Sequence, residues 1–144
     1  YCVADVTDPS DIKPKWRDYF TKAVSFSVMH WIHDKCNALV NIYSCLKPNG
    51  IVLFNCFSDT SSIVQTIRAV ENDTRWRNLV KSRGFTYTIY PWLESDVAGL
   101  KRLIEGCGFE VEVCRSRRQR VKIPCEEIFR ASIRPFLPHF DYMP

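Results

Sequence analysis

The sequence predicts an α/β fold with a mostly parallel sheet and helices on both of its faces, and three observations carry that prediction. Residues 23–29 and 51–57 are continuous apolar runs, as expected of strands buried on both sides rather than on one. Between them lies a stretch of helical length whose apolar residues recur at three- and four-residue steps. Lys47-Pro48-Asn49-Gly50 then stops that helix, because Pro48 cannot continue the hydrogen-bond ladder and Asn49-Gly50 tolerates positive φ. Strand, helix, tight turn, strand is a βαβ unit, and its strands must run parallel.

The elements follow in order. Residues 1–6 form a short apolar run that gives way at Asp5, Thr7, Asp8 and Pro9, and so predict a strand ending in a loop. Residues 11–19 are polar and contain Pro14, which predicts a connection with one helical turn. After the 23–29 strand, Asp34 is placed to cap a helix whose inward face is Cys36, Leu39, Val40, Tyr43 and Leu46. Beyond the 51–57 strand, Ile63, Val64, Ile67 and Val70 mark one amphipathic helix, and Trp76, Leu79 and Val80 a second. Two helices exceed what a crossover needs, so residues 59–92 read as a helical insertion forming a lid over a site. Another helix runs from about Glu94, with Val97, Leu100, Leu103, Ile104 and Cys107 inward, and Gly106 and Gly108 end it. Phe109, Val111 and Val113 alternate with Glu110 and Glu112, predicting a half-exposed strand near a sheet edge. Residues 124–133 predict a last helix. All 144 residues fit a single domain, with 46% hydrophobic residues to fill its core.

Seven cysteines, an odd number without a Cys-x-x-Cys pair and mostly set among apolar residues, read as reduced, buried thiols of a cytoplasmic protein rather than a disulfide framework. No stretch of about 20 apolar residues predicts a membrane span. The net charge of +4 owes much to Arg115, Arg117, Arg118, Arg120 and Lys122. That run would suit phosphates of nucleic acid or an anionic membrane, but without interleaved aromatic residues it reads as the solvated end of a strand, and no nucleic-acid partner is expected. His30, His33 and Cys36 stand at three-residue steps but straddle a strand end and a helix start, with no fourth ligand, so no metal is expected.

Ligands of open parallel sheets bind beyond the carboxyl ends of the strands, which selects Asp5 and Val6, residues 25–31 and residues 55–59. Ser25-Phe26-Ser27-Val28-Met29-His30-Trp31-Ile32-His33-Asp34, followed by Asn41-Ile42-Tyr43 and Leu46-Lys47-Pro48-Asn49-Gly50, resembles class I methyltransferases. Within them the chain is most similar to juvenile hormone acid methyltransferase and its relatives, which carry Ser-Phe-x-x-x-His-Trp-Ile-x-Asp, Asn-Ile-Tyr and Leu-Lys-Pro-Gly-Gly at similar spacing. Gly106-Cys107-Gly108-Phe109 and, more weakly, Pro135-Phe136 extend the resemblance. Asn49 departs from the family's first glycine of the turn, a change its tolerance of positive φ should absorb.

The resemblance implies a partial Rossmann-like sheet, S-adenosylmethionine as cofactor, and a small hydrophobic carboxylic acid, akin to juvenile hormone acid or farnesoic acid, as methyl acceptor. By the same resemblance Asp5 would accept a hydrogen bond from the adenine amino group and the backbone of Val6 would meet the adenine ring. Ser25, Phe26 and Ser27 would line the methionine portion of the cofactor. Trp31 would donate its indole N–H to the acceptor carboxylate beside His30, and Trp76, Phe85, Tyr87 and Trp92 could wall an apolar pocket. The family's Gly-rich cofactor loop and the acidic residue that holds the ribose are absent from these residues. The chain therefore reads as the C-terminal portion of a methyltransferase domain, expected to bind S-adenosylmethionine weakly or not at all by itself. Its rivals are a methyltransferase of the same fold acting on a hydroxyl or amine, an inactive fragment, and a non-enzymatic module built on the Arg115–Lys122 run.

Overall fold

In the computed structural model, which describes residues 1–75, 77, 78 and 97–134, the βαβ unit is present. Strand β1 is Phe20–Phe26, helix α1 is Lys35–Cys45 and strand β2 is Leu46–Asn55. The strands pair in parallel, Lys22 opposite Ile51 and so on to Phe26 opposite Asn55. The described residues belong to two compact units, Tyr1–Thr60 with Thr88–Arg115 and Ser61–Tyr87 with Ser116–Pro144.

Local chemistry sets the ends of α1. The Asp34 carboxylate accepts the Asn37 backbone N–H at 3.0 Å and the Asn37 side-chain amide at 2.8 Å, so the predicted cap is in place. The helix is rotated from the predicted stripe. Ala38, Leu39 and Asn41 are buried, whereas Cys36, Val40 and Tyr43 are exposed. Asn41 accounts for the rotation: its side-chain amide donates to the Val6 carbonyl at 2.9 Å, and a buried amide needs such a partner.

The turn after α1 is absorbed into β2. Phe20 pairs with Leu46, but Lys22 pairs with Ile51, so residues 47–50 bulge out of the ladder. Asn49 stands at φ +63°, as its replacement of glycine requires. At Gly50 a Cβ would lie 2.8 Å from the Lys47 carbonyl oxygen and 3.0 Å from Leu46 Cβ, leaving room for glycine alone.

One face of the sheet, with Phe54, packs on a core of Met29, Ala38, Leu39 and Ile104. Helix α2 is Ser62–Asn72 and helix α3 is Val97–Gly106, whose Leu100 and Leu103 join that core as the sequence predicts. Gly108, at φ +99°, ends α3 by donating its N–H to the Glu105 carbonyl at 3.0 Å, and the Tyr43 ring closes over it. The other face, with Val24, Phe26, Ile51 and Leu53, is exposed. Within the first unit, α1 and α3 contribute to the core on the Phe54 face.

Two predicted strands are absent. Residues 1–5 are irregular and lead into a turn at Val6 and Thr7, because Asp5 closes a local loop with Thr7 instead of joining a ladder. Residues 109–113 make no strand either: Phe109 and Val111 pack on the core while Val113 is exposed, so their alternation records burial without a pairing partner. Strand β1 starts and stops three residues earlier than predicted, for a reason given below. The helical turn around Pro14 is present at Pro14–Trp16.

In the second unit, Ser61 caps α2 by accepting the Val64 N–H at 3.3 Å, and Val64 and Ile67 are buried as predicted. Helix α4, Glu126–Ile133, matches the predicted last helix. The second insertion helix as predicted from Trp76, Leu79 and Val80, the aromatic residues Phe85, Tyr87 and Trp92, and Pro135-Phe136 lie outside the described residues. No helix among the described residues is long and apolar enough to cross a membrane.

Gly50→Ala should lower the stability of the chain by about 1–3 kcal/mol in urea unfolding, whereas Asn49→Gly should leave it unchanged or raise it.

Candidate functional site

The carboxyl ends of β1 and β2 lie side by side, and a single side chain joins them. Ser27 follows the last residue of β1 at φ +55°, a left-handed conformation that an L-residue with a Cβ adopts at a cost of about 1–2 kcal/mol. Its backbone N–H donates to Asn55 Oδ1 at 2.7 Å, from the residue paired with Phe26. This turn ends β1 early and redirects the chain across the strand tips. Backbone strain of this kind concentrates at functional sites.

The chain next enters a 3₁₀ turn, Met29–Trp31, in which the Trp31 N–H donates to the Val28 carbonyl at 2.8 Å. With three residues per turn, neighbouring side chains leave in different directions. Met29 enters the core. His30 is 1% exposed, its ring lying 4.3 Å from the Phe57 ring and 5.3 Å from that of Trp31. Trp31 keeps 37% of its surface exposed.

His30 Nδ1 accepts the Phe57 backbone N–H at a long 3.4 Å, which leaves the ring proton on Nε2, where no protein group meets it. Burial, aided by the nearby Lys35 ammonium, holds its pKa below the ordinary histidine value, so the ring is neutral at pH 7. Lys35 is itself lowered by burial, and its Nζ donates to the Ile32 carbonyl at 3.2 Å. Partial burial pushes the Cys56 thiol up to about 11, which makes it a packing residue rather than a nucleophile. The cysteines are not all buried as the sequence predicts, since Cys2, Cys36 and Cys125 are exposed.

Asp5 and Val6 offer a complementary pair of groups. Asp5 Oδ1 accepts both the backbone N–H and the hydroxyl of Thr7, at 2.8 and 2.7 Å, and these bonds hold the carboxyl below the usual carboxylate range. Asp5 Oδ2 and the Val6 N–H make no hydrogen bond within the protein. The Val6 carbonyl is occupied by Asn41, and the Val6 side chain packs on the cluster that contains Met29. The Asp5–Val6 turn and the Met29–Trp31 turn are therefore carried by one body.

Ser25 and Phe26 do not face the same way. Ser25, opposite Phe54, lies half-buried on the packed face, whereas Phe26 shares the exposed face with Val24 and Leu53. Neither the Ser25 nor the Ser27 hydroxyl bonds to another protein group. A shallow apolar recess of about 330 Å³, lined by Cys2, Ala4, Val6, Ile12, Trp16 and Phe20, opens beside the amino-terminal end of β1 rather than at the strand tips. Among the described residues no three of His, Cys, Asp and Glu converge as a metal site.

Asn41 and Asn55 are the positions whose roles the sequence did not disclose. Asn41 lies in the Asn-Ile-Tyr run and Asn55 at a strand tip, but their partners, Val6 and Ser27, are distant in the sequence.

Compared with protein-family models and with curated proteins, the chain matches none.

Asn55→Ala leaves the Ser27 N–H without its partner and should cost about 1–3 kcal/mol in chemical denaturation; Ser27→Gly, which relieves the left-handed strain, should recover part of that loss. The depressed pKa of His30 has a definite sign. The unfolded chain binds more protons below the ordinary histidine value of about 6.5. Thermal stability should therefore hold above that pH and fall as pH drops through the lower folded value. His30→Gln should flatten this dependence, as melts across the acid range would record.

Proposed function

We propose that the chain carries the adenine-facing and acceptor-facing part of an S-adenosylmethionine-dependent methyltransferase of the Rossmann-like class I type, acting on the carboxylate of a small hydrophobic acid. The observation that carries this reading is the pair at Asp5 and Val6. An unengaged carboxylate oxygen and an unengaged backbone N–H stand one residue apart, the acceptor and donor that the amino group and adjacent ring nitrogen of adenine require. Four further features support it: the parallel strand tips, the left-handed Ser27, the free Ser25 and Ser27 hydroxyls, and the match of residues 25–34 to the methyltransferase run.

The residues present fit the adenosyl and methionine portions of such a cofactor, with Asp5 and Val6 at the adenine and Ser25 and Ser27 at the methionine end. Phe26 would contribute its backbone alone. When bound, the cofactor supplies an activated methyl group, so the protein has little covalent chemistry to perform. A carboxylic acid with a pKa near 4 is ionised at neutral pH and needs no general base. His30 agrees with that: it is neutral, sealed from water, and has Nδ1 occupied. It serves as a positioning residue that holds the backbone of Phe57 and flanks Trp31. Trp31 remains accessible and would orient the acceptor carboxylate with its indole N–H, holding one oxygen in line for transfer in a site that excludes water. An acceptor that arrives already ionised suits this arrangement better than an alcohol or amine, which must lose a proton.

Nuclear magnetic resonance provides the test, because it detects millimolar affinities. Added S-adenosylmethionine should shift the amides of residues 5–7 and 25–31, and Asp5→Ala should weaken its binding about tenfold or more. Trp31→Phe should retain those shifts and lose the shifts caused by a long-chain carboxylate. No perturbation at millimolar cofactor, or identical binding by Asp5→Ala, would sink the proposal.

A further inference from the structure

In the second unit, the segment that leads into α4 combines cations and apolar side chains, all of them exposed. Residues 116–134 contain six basic and two acidic residues. Arg117, Arg118, Arg120 and Lys122 fall within six positions, outside any helix or strand, and none of them forms an ion pair. One of the two acids, Glu126, is engaged by Arg130 at 2.7 Å, so it does not neutralise the run. A solvated charged loop would need nothing more. Here, however, Val121 is 74% exposed and Ile123 is exposed beside it, and Ile128 and Phe129 on α4 present further apolar surface.

We infer that this strip docks the protein on an anionic lipid surface, without spanning it. Cations held near a negatively charged leaflet gain attraction, while aliphatic side chains between them enter the headgroup boundary. Both groups of side chains then have a partner. A single-stranded nucleic acid would satisfy the cations and leave Val121, Ile123 and Ile128 against water, since it rewards stacking aromatic rings, of which the strip holds Phe129 alone. The charge and the aliphatic exposure together therefore favour lipid. This inference is independent of the methyl-transfer reading.

Sedimentation of the 144-residue chain with vesicles tests it. Vesicles of phosphatidylcholine with a quarter phosphatidylserine should bind the chain, pure phosphatidylcholine should bind it far less, and near-molar salt should release it. Each neutralised cation should weaken binding about fivefold, so Arg117→Gln, Arg118→Gln, Arg120→Gln and Lys122→Gln together should reduce it by more than about a hundredfold. Val121→Ser with Ile123→Ser changes residues outside the helices and strands, so folding is spared. This pair should weaken vesicle binding about tenfold, from two lost aliphatic insertions, and leave retention of a single-stranded oligonucleotide unchanged. Equal binding to both kinds of vesicle, no binding to the anionic ones, or indifference of vesicle binding to the Val121 and Ile123 changes would overturn the proposal; the last result, with strong oligonucleotide retention, would assign the strip to nucleic acid.

Discussion

Pairing Phe26 with Asn55, and not with a neighbour of Asn55, decides where each side chain at the strand tips goes. A slip of one residue would bring Phe54 or Cys56 opposite Phe26, and neither has a carbonyl oxygen in its side chain to receive the Ser27 N–H. The same slip would turn Phe54 out of the core and send Leu53 in. Parallel strands have no hairpin to fix their register, so the crossover must do it. Here the Asp34 cap starts α1, and the Lys47–Gly50 bulge takes up the residues that would otherwise push Ile51 past Lys22. Two short-range devices thus determine a contact between residues 28 apart.

Those devices are what the sequence shows most clearly, because they depend on side chains acting on their own backbone. Asp34, Pro48, Asn49 and Gly50 can be read without knowing what surrounds them. The same holds for α2 and α4, whose capping residue or flanking proline and apolar spacing are local. The limits of β1 are not local. Its apolar run continues to Met29, and only the distant Asn55 explains why Ser27 leaves the ladder. The runs at 1–6 and 109–113 show a related difficulty. Alternating apolar residues specify which side chains are buried, and Phe109 and Val111 obey that, but a strand also needs a free edge opposite it.

The division between His30 and Trp31 follows from turn geometry more than from residue type. In a strand, adjacent side chains would point to opposite faces, and in an α-helix they would lie about 100° apart; the tight 3₁₀ turn separates them by a third of a revolution. One ring is thereby sealed beside Phe57 while its neighbour stays accessible. The sequence named both as site residues and gave the donor role to Trp31, but it did not show which ring is buried. Burial does so: it leaves His30 neutral and fixed, and so unsuited to meeting a substrate, while Trp31 retains surface with which to touch one.

Two of the exposed apolar surfaces among the described residues differ in the charge around them, and that charge gives each a different meaning. Val24, Phe26, Ile51 and Leu53 form a face on which the paired strands contribute one cation, Lys22. Apolar sheet faces are ordinarily covered by another layer of secondary structure, and a nearly neutral surface carries no chemistry that would choose among possible covers. Val121 and Ile123 lie instead among Arg117, Arg118, Arg120 and Lys122, which form no ion pair, and Ile128 and Phe129 follow on α4. A protein core would have to bury those cations at a cost of several kcal/mol each, whereas an anionic interface attracts them and accepts the aliphatic groups in the same layer. Charge, more than hydrophobicity, therefore separates a surface meant for packing from one meant for a boundary.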